Sequence, residues 1–149
     1  MTTMTNTPTS GGRYYLERFV QAQNHMYTQA LQEVKNGYKC SHWIWYIFPQ
    51  LAILGHSYNS KYYGISGFDE AKAYLAHPIL GARLREVTNA LLAHSGKEAK
   101  AIFGGLDAKK VRSCMTLFDA VAPGDIFEQV LDQFYDGRRG RRTLAHIQE

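Results

Sequence analysis

The side chains best suited to handling a proton, an anion or a planar ligand fall in two short segments. The first, YKCSHWIWYIFPQ (residues 38–50), brings together Lys39, Ser41, His42, Trp43, Trp45 and Gln50. Lysine can neutralise an anion, imidazole can move a proton near neutral pH, and indole can stack on a base or a sugar face. The segment has no carboxylate, so His42 is its acid/base candidate. A structural account of the same residues stays open, with both tryptophans in the core, His42 hydrogen-bonded in place and Lys39 in solvent.

The second segment is KKVRSCMTLF (residues 109–118). On a helix, Val111, Cys114, Met115, Leu117, Phe118 and Val121 take the core side, while Arg112, Thr116 and Asp119 share another face with Lys109 and Ser113 beside it. Arg112 and Thr116, one turn apart, could hold a phosphate or carboxylate from two directions. Alternatively, Arg112 and Asp119 form a surface face and Thr116 bonds the backbone. Two smaller signals join these. Gln23 lies on an apolar helical stripe and needs a partner, and the pair Tyr62-Tyr63 could stack on a planar group.

Conventional motifs are missing. There is no Gly-rich phosphate loop, no Cys-x-x-Cys, no His-Glu-x-x-His and no Gly-x-Ser-x-Gly elbow. The six histidines (His25, His42, His56, His77, His94 and His146) lack ligand spacing, so no metal and no cofactor are expected.

The elements that must position these residues read as helices. Apolar residues recur at helical period from Leu16 to Val34, and Gly37 supplies a stop. Residues 38–50 could be helix or strand, ended by Pro49. Residues 51–67, broken by Gly and Asn, suggest a long aromatic-rich loop. Four starts follow: Ser66 with Asp69, Pro78, Ser95 with Glu98, and Asp107. Asp125 with Glu128 opens another helix, and Thr143 a final turn. The expectation is an all-α fold: a disordered leader over residues 1–13, then one compact domain of about six helices over residues 14–149.

Length and composition agree. A chain of 149 residues, 45% hydrophobic, fits one domain with a sizeable core. MTTMTNTPTSGG is no signal peptide, and no apolar run approaches the ~20 residues of a membrane span, so a cytoplasmic location without membrane contact is expected. Two cysteines without metal spacing fit a reduced chain. The net charge of +4 resides in GRRGRR: without Arg138, Arg139, Arg141 and Arg142 the 17 basic residues become 13, equal to the acidic count. Those four arginines could bind nucleic acid or simply be solvated.

The segments RFVQAQ, KCSHWIWYIFPQ, YYGI, EAKAYLAHPILGARLRE and KVRSCMTLF, in this order, resemble the domain-of-unknown-function 1810 family across residues 15–147. The resemblance implies a compact, mostly helical domain and no established activity. Its members often carry an acidic residue in a C-terminal G-x-x-D-x-x-T-L segment. This chain has Gly140 there, so an acid/base role for that position does not carry over. The aromatic-x-Gln-Ala-Gln pattern at Phe19–Gln23 is also similar to NADAR proteins, which implies ADP-ribose chemistry.

The functional expectation is a pocket for a nucleotide or ADP-ribose-like anion. Trp43 or Trp45 and Tyr62 or Tyr63 would stack, and Lys39 and Arg112 would neutralise charge. Gln23, Ser41, Gln50, Ser113 and Thr116 would hydrogen-bond, and His42 would assist hydrolysis of a glycosidic bond. The alternative is a non-enzymatic module that binds a protein or, through Arg138, Arg139, Arg141 and Arg142, a nucleic acid.

Overall fold

The computed structural model describes residues 14–147, and the expected leader lies outside them. Helix α1 (Glu17–Asn36) buries Phe19, Val20, Gln23, Ala30 and Val34 on one stripe. It stops where the pattern predicts. Gly37 takes φ 76°, a left-handed conformation that glycine adopts without penalty. The Tyr38 amide then donates to the Glu33 carbonyl at 3.1 Å and the Gly37 amide to Val34 at 3.0 Å.

Residues 38–50 resolve into a single helical turn, α2 (Ile44–Ile47), with Trp43, Ile44, Ile47 and Phe48 buried. The segment expected as a long loop is built more firmly. It contains a 3-10 turn (Ala52–Leu54) and α3 (Tyr58–Tyr62), whose first turn is capped by the Ser57 hydroxyl. Its ends close on each other through a parallel bridge: the Ala52 amide donates to Ile65 at 2.8 Å and the Ile65 amide to Gln50 at 2.9 Å. A Cβ at Gly64 would lie 2.4 Å from the Ala52 Cα, so only glycine permits this closure. Arg18 locks the segment from beneath, donating to the Gly64 carbonyl at 2.9 Å and to Glu70 at 3.0 Å. The Glu70 carboxylate in turn accepts the Ser66 amide at 2.8 Å.

Helices α4 (Phe68–Ala76), α5 (Leu80–Leu92), α6 (Ala99–Phe103), α7 (Gly105–Val121), α8 (Ile126–Tyr135) and α9 (Arg141–Ile147) complete the described residues, which are all-α. Helix α7 is central and packs on α4, α6, α8 and α9, with Val111, Cys114, Met115, Leu117 and Phe118 fully buried. Phe19, Tyr74, Phe118 and Phe127 run through the core as a chain of ring contacts 5.1–5.9 Å apart.

Several helix starts differ from expectation. Gly67, not Ser66, precedes α4, and the carboxylate bonded to the Ser66 amide is Glu70 rather than Asp69. The His77 side chain, at the end of α4, serves the start of α5: its Nδ1 accepts the amides of Ile79 and Leu80, which requires a neutral ring, and burial holds its pKa below the ordinary value. Glu98 makes no side-chain cap, α7 starts at Gly105 so Asp107 falls in its first turn, and α9 starts at Arg141. Asp125 caps α8 as read, accepting the Ile126 amide at 2.7 Å. No described helix is long and apolar enough to cross a membrane.

Candidate functional site

The crowding of polar groups against the most apolar stretch has a local cause that the sequence did not disclose. Glu33 of α1 is only 7% exposed. Its carboxylate accepts the Cys40 amide at 2.8 Å, the Ser41 amide at 3.0 Å and the Trp43 indole N–H at 2.9 Å. The Ser41 hydroxyl donates at 2.7 Å and Gln29 at 3.0 Å. Burial alone would raise its pKa. The bonds from Ser41, Cys40, Gln29 and Trp43 outweigh that and bring it to about 2. Ser41 and Trp43 thus serve a buried anion of the protein itself. The available signal was a carboxylate beside Val34 on the apolar stripe.

Lys39 is likewise committed. Its ammonium lies 2.9 Å from one Asp107 oxygen and 5.1 Å from the Trp43 ring centroid. The other Asp107 oxygen holds Lys110 at 3.0 Å, and the Lys110 ammonium lies 4.5 Å from the Trp45 ring centroid. Burial opposes the Asp107 charge, but the two lysines prevail and lower its pKa. Gln23, 1% exposed, donates to the Tyr46 carbonyl at 2.7 Å and the Tyr74 hydroxyl at 3.0 Å. Its partners are structural. Thr116 donates to the Arg112 carbonyl at 2.8 Å and accepts the Gly140 amide at 2.9 Å, so it pins the start of α9 against α7.

What remains converges on one cleft of about 320 Å³. Trp45 of α2, Gln50 and Leu54 form one wall. Helix α7 contributes Leu106, Lys109, Lys110, Arg112 and Ser113, and the start of α9 contributes Gly140, Arg141 and Arg142. Five of the lining residues are cationic and none is acidic. Lys110 is paired with Asp107, which leaves Lys109, Arg112, Arg141 and Arg142 without a carboxylate partner among the described residues. The Arg112 Nε is buried with no hydrogen-bond partner among them. The contrast with Arg139 is instructive, since that guanidinium lies 3.0 Å from Asp119 and 3.4 Å from Glu128.

Of the residues singled out from sequence, Trp45, Gln50, Arg112 and Ser113 meet in this cleft, and Arg141 and Arg142 join them from the basic tail. His42 is exposed and does not line it. Tyr62 and Tyr63 lie in a separate ring cluster: Tyr62 stacks on Tyr58 at 5.6 Å, and Tyr63 contacts Tyr46 at 5.2 Å. Arg138 is exposed outside the lining. Lys109, which helical spacing sets beside the Arg112 face, belongs to the cleft, and so does Lys110, to which the sequence assigned no role. Among the described residues no group of three or more His, Cys, Asp or Glu side chains could hold a metal ion.

The profile of a family described as "Protein of unknown function (DUF1810)" matches residues 13–147. The crystal structure of the conserved hypothetical protein Rv1873 from Mycobacterium tuberculosis is similar over 92% of this chain and 99% of that one, with 40% identity and a TM-score of 0.90. No curated protein matches the chain.

Proposed function

The chain belongs to the DUF1810 family of proteins of unknown function, and within it we propose that this protein binds a small phosphorylated ligand of the mononucleotide kind in the cleft between α2, α7 and α9. One observation carries the reading: Lys109, Arg112, Arg141 and Arg142 share the cleft lining with no acidic residue among the described residues. Like charges gathered without counter-charge repel one another, a cost that an anionic ligand removes. Arginine suits such a role because its planar fork donates two parallel bonds to a phosphate or carboxylate. The cleft volume of about 320 Å³ lies at the lower end of small-molecule sites, roughly 300–1,000 Å³.

The other lining groups fit an organic body attached to the anion. Trp45, Leu54 and Leu106 supply apolar surface, while Gln50 and Ser113 supply hydrogen bonds. Among the described residues the lining contains no carboxylate and no imidazole. We therefore limit the proposal to binding and do not extend it to hydrolysis of a glycosidic bond.

Calorimetric titration with inorganic phosphate and AMP at fixed salt tests this reading. Both should bind, and Arg112→Ala should weaken both at least tenfold while the protein stays folded. Absence of binding at millimolar concentration would overturn it. Binding of polynucleotides alone, with affinity falling steeply as salt rises, would favour a nucleic-acid module instead.

A further inference from the structure

We propose that Lys110 is a selector in this cleft: it admits an aromatic ring to the face of Trp45 only when the ring carries an anionic group. The inference rests on the anion-binding reading above and adds a specificity-determining residue to it. Its basis is the position of the Lys110 ammonium, 4.5 Å from the Trp45 ring centroid and 3.0 Å from an Asp107 oxygen. Trp45 is half-buried and otherwise packs against the core, so the cleft side of its ring is where a ligand must approach.

Asp107 makes this arrangement firm. Its second oxygen is held by Lys39 at 2.9 Å, and Lys39 in turn sits 5.1 Å from the Trp43 ring centroid. One carboxylate therefore spans two ammonium groups, each set over a tryptophan. Asp107 also lies in the first turn of α7, where the helix dipole favours its charge. Asp107 is held at both oxygens, whereas Lys110 is carried on a flexible four-carbon stem and is about a quarter exposed.

Consider what a neutral ring must do. To stack on Trp45 it must displace Lys110 from both the indole and Asp107, and it offers the ammonium nothing in return. A ring bearing a phosphate offers a new anionic partner within the same cleft, so the displaced ammonium is satisfied again. Lys110 thereby couples recognition of charge to recognition of the ring. The favoured chemical class is an aromatic phosphate such as a mononucleotide, and the corresponding nucleoside is excluded.

The test compares inorganic phosphate, AMP and adenosine by calorimetry at fixed salt, with Trp45 fluorescence as a second readout and Trp45→Phe as its control. Wild-type protein should bind phosphate and AMP with a change in emission, and adenosine more weakly than AMP by at least a hundredfold. In Lys110→Met the adenosine affinity should rise and the AMP-to-adenosine ratio should fall at least tenfold, while phosphate still binds but no longer alters emission. Lys110→Gln, which keeps a polar group at this position, should narrow the ratio in the same direction if the methionine variant folds poorly. An unchanged ratio in both variants, with phosphate binding intact and lost in Arg112→Ala, would overturn the selector and leave the anion site standing. Failure of wild-type protein to bind either phosphate or AMP would overturn both.

Discussion

Replacing Glu33 by Gln tests whether the polar run at 38–43 exists to serve a buried carboxylate. Glutamine is close in size and keeps one oxygen to accept from Cys40, Ser41 and Trp43, while its NH2 can face the Ser41 hydroxyl and a reoriented Gln29 amide. The substitution therefore removes the charge rather than the shape. In the native protein five donors converge on this carboxylate. Its pKa falls from an ordinary 4.5 to about 2. At roughly 1.4 kcal/mol per pH unit that sets a ceiling of about 3 kcal/mol for what ionisation contributes. Ser41 is only half-buried, and water at that edge screens the effect to about 2 kcal/mol.

The sign follows from the depressed pKa. The stabilisation is fully present above about pH 5 and is lost as pH falls from 4.5 toward 2, because the unfolded chain takes up the proton first. Urea denaturation should therefore show Glu33→Gln less stable than wild type by about 2 kcal/mol at pH 7. The gap should close by at least half at pH 3. A gap below about 0.5 kcal/mol at pH 7, or one that stays constant between pH 7 and pH 3, would refute the account of Glu33 as an ionised hub.

Two further substitutions probe how the cleft is held. Thr116→Val removes the acceptor of the buried Gly140 amide; it should cost about 1–3 kcal/mol in denaturation and also weaken phosphate binding, because Arg141 and Arg142 lose their anchor. Breaking the buried Arg18–Glu70 pair with Glu70→Leu leaves Arg18 without its counter-charge. Thermal or chemical denaturation should register a loss of about 3–5 kcal/mol, and limited proteolysis should find residues 51–67 opened first.

Local periodicity made much of the fold legible. The stripe of α1, its stop at Gly37, the core face of α7 and the Asp125 cap of α8 all follow from side chains within a turn or two of one another. For the same reason Arg112 could be assigned to a face away from the core with Ser113 beside it, and both reach the cleft. Residues 51–67 were harder, because their order comes from the Arg18–Glu70 pair and from the bridge between Leu51 and Ile65, contacts that no local pattern announces.

Which cations keep a free charge was settled only by the tertiary structure. Lys39, Lys110 and Arg139 look no different in sequence from Lys109, Arg112 and Arg142, yet among the described residues the first three each meet a carboxylate and the others do not. The same holds for polar groups: Ser41, Trp43 and Gln23 were sensible ligand contacts until Glu33, Tyr46 and Tyr74 took their hydrogen bonds. Helical period fixes which face of an element a residue occupies. Pairing of charges and donors depends on distances of about 3 Å between elements far apart in the chain, and only the packed fold sets those.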